Sequence, residues 1–405
     1  MAPNSSRAVA AVTAPAPSAR PSTTPAIRRL TGVDLARGLA VLGMYVAHVG
    51  PDPMDGGTPG FLAETAYGRA SALFALLAGF SLVLLTGRPT PRTGRAGRQA
   101  VIRVVIRAAV LFAMGIALIA LNTQIDVILA CYALLFLLAL PLHRLRAGTL
   151  AVIAAASALV LPQDLYLVKV SIEEGNWADS ITALDPLARI TDSDGFIEIL
   201  FTGAYPVLTW IPFVIAGMAV AKLDLTRVRG RLAVAGVGLA VLGYGGSWLA
   251  LHLVPHAYAT IAARTDGNSA GSAWWSDTVG EPDGVFREWL LVAAPHSQTT
   301  FSIVGNTGVA LAVLAGCLIA VDRLPRVRRL AAPVIAIGTM SLTFYVLHIV
   351  AIWALWDEEL PSSLLVLAAF SLAAMLLAVA WHRHFRRGPL EYLVHSTTRL
   401  ADRIT

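Results

Sequence analysis

Gly32-Val33-Asp34-Leu35-Ala36-Arg37-Gly38 opens an apolar run that closes on Ala47-His48-Val49-Gly50. Residues 31–50 make up about the twenty that a helix needs to cross a bilayer, yet the run keeps Asp34, Arg37 and His48. Charge near the bilayer centre is costly to insert, so a span that retains three such groups has work for them.

The pattern repeats along the chain. Of 405 residues, 56% are hydrophobic and only 14% charged, and the mean hydropathy is +0.68. That profile excludes an ordinary soluble domain. Apolar segments fall at 31–50, 69–87, 101–121, 124–142, 149–163, 197–221, 231–255, 297–321, 332–353 and 362–381. The expectation is an all-α membrane protein, a polytopic bundle of about ten transmembrane helices. The segment at 149–163 is the weakest, because Pro162 and Asp164 cut it short.

Charge orients the bundle. One set of loops carries Arg88, Arg92, Arg95 and Arg98; Arg144 and Arg146; Lys222, Arg227 and Arg229; Arg323, Arg326, Arg328 and Arg329; and Arg383, Arg386 and Arg387. The alternate loops carry Asp52, Asp55 and Glu64; Glu173, Glu174, Asp179, Asp192 and Asp194; Asp277, Glu281 and Asp283; and Asp357, Glu358 and Glu359. By the positive-inside rule both termini are cytoplasmic, in a plasma membrane. The net charge of +6 thus reads as topology and headgroup contact, and no nucleic-acid partner is expected. Residues 1–28, rich in Pro, Ala, Ser and Thr with basic residues and no acidic ones, read as a disordered cytoplasmic tail. Residues 29–385 form the membrane domain and 386–405 a second basic tail. Cys131 and Cys317 lie inside spans, and no disulfide between them is expected.

Several polar residues are candidates for chemistry. Asp34 and Arg37 lie one turn apart on one helix face, either as an interfacial ion pair or as the brace of a polar cavity. His48 comes fourteen residues after Asp34, roughly 21 Å further along the helix. His348 falls in the same half of the ninth segment, and His296 opens the eighth on that side. An imidazole there suits proton transfer; the plainer reading is a hydrated interfacial residue. His382 and His384, among arginines, read as headgroup contacts. Arg103 and Arg107, four apart on the third helix, either snorkel or form an anion site suited to phosphates. Asp126 is placed to pair with a histidine or with Arg69. Tyr205-Pro206 adds a kink to the sixth segment, and Asn306 polarity to the eighth. Two long stretches, about 164–196 and 256–296, hold Trp177, Trp274, Trp275 and Trp289, as interfacial anchors or as a cap over a site. No H-E-x-x-H, C-x-x-C, P-loop or dinucleotide motif occurs, so neither a structural zinc site nor ATP-driven transport is expected.

Arg29-Leu30-x-Gly32-Val33-Asp34-x-x-Arg37-Gly38-x-Ala40 resembles the opening of bacterial relatives of heparan-α-glucosaminide N-acetyltransferase, within a wider group of transmembrane acyltransferases. Tyr205-Pro206-Val207-Leu208-x-Trp210-Ile211 with Gly217-Met218 is similar to that family's sixth-helix segment. Gly338-x-Met340-Ser341-Leu342-Thr343-x-Tyr345-x-Leu347-His348 resembles the late helix of a related membrane family. The resemblance implies transfer of an acetyl group from cytosolic acetyl-CoA to an extracytoplasmic glycan or small-molecule hydroxyl or amine. The family's first-loop histidine has no counterpart between Gly50 and Arg69. His48 stands where that family has an active-site asparagine and where a second acyltransferase family has a histidine. On this reading His48 is the base and His348 its partner, Arg103 and Arg107 hold CoA phosphates, and Asp34 and Arg37 brace the cytoplasmic entrance. Membrane lipid is a partner and the apolar helices allow a homodimer. The competing readings are a transporter of a polar solute or lipid-linked sugar, using the same residues as a proton relay, and a membrane scaffold or sensor.

Overall fold

Backbone polar groups in hydrocarbon must be satisfied within the segment, which leaves the helix as the default for apolar runs of this length. A computed structural model describes residues 30–403 except 89, 176, 192, 268, 357–361 and 386. The expected tail at 1–28 lies outside the described residues, as do Asp192, Asp357, Glu358, Glu359 and Arg386 of the charge pattern. Among the described residues every regular element is helical, and Thr265 and Pro282 form one isolated bridge.

The helices in order are α1 (Thr31–Val49), α2 (Arg69–Thr86), α3 (Gly94–Ile119), α4 (Ile128–Ala139), α5 (Ala147–Gly175), α6 (Val207–Ala221), α7 (Leu225–Ala240) and α8 (Thr300–Arg323). The last four are α9 (Ala332–Thr339), α10 (Ser341–Leu355), α11 (Leu364–His384) and α12 (Pro389–Thr398). A helix therefore stands at each of the ten apolar segments. Seven stretches are long and apolar enough to cross a membrane, namely α1, Gly57–Thr86, α3, α5, Leu225–Leu253, α8 and α11, with α9 and α10 together an eighth candidate. Ile128–Arg144 and Val207–Ala221 are shorter. The core is α1, α2, α4 and α6, all heavily buried, with α8 alongside. α3, α5, α7 and α11 lie at the periphery, where most of their residues are not fully buried.

Four local outcomes depart from the sequence expectations. α5 does not stop at Pro162 but runs on to Gly175. The proline leaves the carbonyl of Ala158 without its usual partner, and Thr300 Oγ1 donates to that carbonyl at 3.0 Å. Tyr205-Pro206 is not a kink inside a helix: a π-turn ends at Thr202, and Pro206 caps the start of α6. The ninth segment is broken at Met340, where α9 and α10 meet at 89°. α9 is pressed onto α1 there, since a Cβ on Gly338 would lie 1.7 Å from the Asp34 carbonyl oxygen. Finally, the basic segment after the last span contains a further helix, α12. α12 packs on α3 through buried Val394, with Ala401 buried just beyond it. Its Glu391 accepts from the N–H groups of Leu342 (2.8 Å) and Thr343 (3.1 Å) and from Thr343 Oγ1 (2.5 Å). A carboxylate on the otherwise unpaired first N–H groups of α10 is what stabilises a helix starting in mid-bundle.

α2 and α6 meet through glycine. A Cβ on Gly217 would sit 1.8 Å from the Leu76 carbonyl oxygen, and one on Gly79 would sit 1.9 Å from that of Val214. Gly217→Val should therefore lower the detergent melting temperature, because forcing apart a packed pair costs about 1–3 kcal/mol or more. An unchanged melting curve would contradict the close packing of these helices.

The stretch at 256–296 builds a small core of Ile261, Val279, Phe286 and Val292 around Leu251 of the preceding helix, with Trp274 and Trp289 against it. Arg69 ties this cap to the bundle. It donates to Tyr244 Oη (3.1 Å), to the Glu64 carbonyl (2.7 Å) and to the Trp275 carbonyl, and forms an ion pair with the Glu64 carboxylate at 3.7 Å. The partner of Arg69 is thus Glu64, not Asp126.

Candidate active site

α1 and α10 each carry Tyr-Val-x-His, as Tyr45-Val46-Ala47-His48 and Tyr345-Val346-Leu347-His348. Three residues are just under one helical turn, so each tyrosine shares a face with its histidine. The two histidines meet: His48 Nδ1 lies 2.9 Å from His348 Nε2, with the rings parallel to within 5°. Tyr45 and Tyr345 enclose His348 at ring-centroid distances of 4.9 and 5.3 Å, and His348 is only 2% exposed. Tyr45 Oη donates to the Phe344 carbonyl at 3.0 Å, which locks α1 to α10 beside the pair. Neither tyrosine was singled out as a site residue from sequence, although the repeated motif marks both.

In the pair one imidazole donates and the other accepts. His348 Nδ1 is buried with no hydrogen-bond partner among the described residues. In the arrangement with the His348 proton on Nδ1, His348 Nε2 accepts, and His48 donates from Nδ1 and keeps the lone pair on Nε2. Among the described residues nothing hydrogen-bonds His48 Nε2, and no group of His, Cys, Asp and Glu is arranged to hold a metal.

His48 lines a cavity of about 580 Å³ at the end of the bundle that carries the acidic loops. Its walls bring together Asp126, His296, Tyr205, Asp277 and Lys169. Asp126 sits electrostatically beside His296; burial raises its carboxyl above the ordinary range and the histidine opposes that shift. Burial likewise raises Asp277. His296 and Gln298 both hold left-handed backbone, with φ of 56° and 61°, a strained state for residues other than glycine. Both side chains are fixed on the Ala204 carbonyl, to which Gln298 Nε2 donates at 2.7 Å and His296 Nδ1 at 3.3 Å.

A second cavity, of about 260 Å³, lies at the basic end and is lined by Arg37, Arg107, Ser81 and Glu391. Arg37 donates to Ser81 Oγ at 2.7 Å and forms an ion pair with buried Asp34 at 3.3 Å. Arg107 stacks over Phe136 at 6.0 Å, and its Nε is buried with no hydrogen-bond partner among the described residues. Arg103 is not part of this cavity; it forms an ion pair with Asp402 beyond α12. The two arginines brought together are therefore Arg37 and Arg107, not Arg103 and Arg107.

A layer of aromatic rings divides the two cavities. Phe74 stacks on Tyr132 at 5.6 Å and on Tyr345 at 6.2 Å. Phe74 and Tyr132 face the basic-end cavity, whereas Ser71, one turn back on α2, lines the other.

Comparison with known proteins follows the same division of the chain. A family model described as heparan-alpha-glucosaminide N-acetyltransferase, catalytic, matches residues 29–244, more than half of the chain, and takes in His48, Arg37 and Arg107. A second, described as a protein of unknown function (DUF418), matches residues 284–401 and takes in His296 and His348. The His48–His348 contact joins the two matched regions. No curated protein matches the chain. With a helical membrane bundle built around a histidine pair and a catalytic-domain match over most of its first two thirds, the chain belongs to the heparan-α-glucosaminide N-acetyltransferase family of membrane acyltransferases.

Proposed function

We propose that this protein moves an acetyl group from acetyl-CoA, held at the basic, cytoplasmic end, to a hydroxyl or amine acceptor in the acidic-end cavity outside the cytoplasm. The observation that carries the reading is the His48–His348 hydrogen bond at the wall of that cavity. With the thioester arm of the donor reaching past the aromatic layer into the His48 cavity, His48 Nε2 takes the acceptor's proton as its oxygen or nitrogen bonds to the acetyl carbonyl carbon and the carbon–sulfur bond breaks; the imidazolium then returns the proton to the leaving thiolate. His348 accepts from His48 Nδ1 and so holds the ring in the basic tautomer, the role that a carboxylate fills in other triads. Arg37 and Arg107 supply guanidinium donors suited to phosphate or pyrophosphate oxygens. The fit rests on Arg107 Nε, a buried donor with nothing to satisfy it among the described residues. Transport is not favoured by the family to which the chain belongs.

The test is radiolabelled acetyl-CoA with membranes containing the protein, followed by free thiol and labelled product. Thiol release that matches that of membranes lacking the protein would reject the reading. Orientation is tested separately by single cysteines in a background without Cys131 and Cys317. Ser180 and Ser269 are exposed at the acidic end and Thr93 is exposed at the basic end. Cysteines at the first two should react with an impermeant maleimide in intact cells and one at Thr93 should not; the reverse pattern would invert the bundle.

A further inference from the structure

Beside the acidic-end cavity runs a third space of about 250 Å³ with a different lining. Its walls are largely apolar, Leu165, Tyr166 and Ile172 of α5 on one side and Val285, Phe286 and Leu290 of the cap on the other, with Lys169 and Glu173 the charged residues of the lining. It is continuous in lining with the cavity that holds His48, since Lys169, Thr202, Pro282, Trp289, Ser297 and Gln298 border both. α5 is a peripheral helix whose Leu159, Val160 and Leu167 are 58%, 53% and 63% exposed, the signature of a lipid-facing surface in a spanning helix. The groove thus lies between the inner face of a lipid-facing helix and the cap, and leads to the cavity of the candidate base. After α5 come two short helices, Trp177–Thr182 and Pro186–Thr191, near which Leu184 and Ile190 are 81% and 61% exposed, as at a membrane interface.

Lys169 stands at the junction. Its ammonium makes no hydrogen bond or ion pair among the described residues, and the nearby Glu173 carboxylate accepts from the Val285 N–H at 2.9 Å. Apolar walls, a single cation at the inner end and a proton acceptor beyond it are the three parts of a site for an anionic amphiphile.

We propose that the acceptor is a lipid-linked phosphate or phosphodiester that enters sideways from the outer leaflet, its chain in the α5–cap groove, its phosphate on Lys169 and its sugar or other head group at His48. The identity of the reaction rests on the acyl-transfer reading; the binding site does not. A water-soluble glycan would have no use for the groove.

Native mass spectrometry of the full-length protein in neutral detergent, titrated with dodecyl phosphate, measures binding without catalysis. One dodecyl phosphate should bind, and a hundredfold excess of inorganic phosphate should leave it in place. Ile172→Trp and Leu290→Trp, each filling the groove from a half-buried position, should weaken binding at least tenfold in whichever variant melts like the wild type. Lys169→Gln should weaken dodecyl phosphate at least tenfold and leave dodecyl glucoside unaffected. Displacement by inorganic phosphate, or full affinity in both folded tryptophan variants, would overturn the proposal. A second measurement compares acetyl transfer to glucosamine and to glucosamine carried on a dodecyl phosphodiester. The amphiphile should be used with at least tenfold higher kcat/KM, and equal use would overturn its role as acceptor. Binding without transfer to either acceptor would reject acyl transfer and leave the lipid site standing; transfer to glucosamine without binding of dodecyl phosphate would do the opposite.

Discussion

Replacing His48 with alanine should reduce acetyl transfer by 10²–10⁴-fold, the usual worth of a positioned general base, which is about 3–5 kcal/mol of barrier. The loss should fall on kcat, since the imidazole acts on a proton in flight more than on either bound substrate. Alanine also strands His348 Nε2, a buried polar atom, at a cost of about 1–3 kcal/mol in stability. His48→Asn supplies the control: an amide keeps a polar partner for His348 but cannot accept a proton in this pH range, so it should melt near the wild type and be as inactive as alanine. His348→Ala leaves the base in place and removes only what orients it, and the expected loss is smaller, about 10–10²-fold. Retention of more than about a tenth of wild-type transfer in folded His48→Ala would remove this residue from the proton chemistry.

Arg107→Gln should raise the KM for acetyl-CoA by roughly 10–150-fold, the equivalent of one charge-assisted contact at about 1.5–3 kcal/mol. The same change should not lower the melting temperature of the protein without donor. The Nε of Arg107 is a buried donor with no hydrogen-bond partner among the described residues, and removing an unsatisfied buried polar group is neutral or stabilising. Weaker donor binding together with equal or greater stability is the pattern that distinguishes a binding residue from a structural one. Arg103→Gln should change the KM little, because Arg103 is engaged by Asp402 away from the cavity. An unchanged KM in folded Arg107→Gln would return Arg107 to a packing role over Phe136.

Much of the bundle was legible because hydrocarbon imposes length and apolarity on each crossing segment, and those are properties of a single stretch of chain. What escaped depends on a second stretch. Pro162 reads as a stop until Thr300 supplies a donor for the Ala158 carbonyl. Gly338-Thr339-Met340 reads as the middle of a span until Glu391, fifty residues on, is found capping a fresh helix at Ser341. The basic residues after Arg386 concealed an apolar stripe that ends on Val394 and Ala401. At the site, each histidine was visible and their partnership was not, since they are separated by three hundred residues. Arg103 and Arg107 share a helix face in the sequence, but the last residues of the chain take one of them and leave the other to the cavity.

The stack of Phe74, Tyr132 and Tyr345 has an electrical consequence. With a hollow at either end of the bundle, the insulating thickness there is smaller than the roughly 30 Å of hydrocarbon around it. The membrane voltage is then concentrated across those three rings, and a proton crossing the membrane there would release about 2.3 kcal/mol per 100 mV. An acetyl group carries no net charge, so its passage is indifferent to that field. Acetylation should therefore run at the same rate in energised and depolarised vesicles, whereas Phe74→Ala should short-circuit them, visible as a faster decay of an imposed pH gradient.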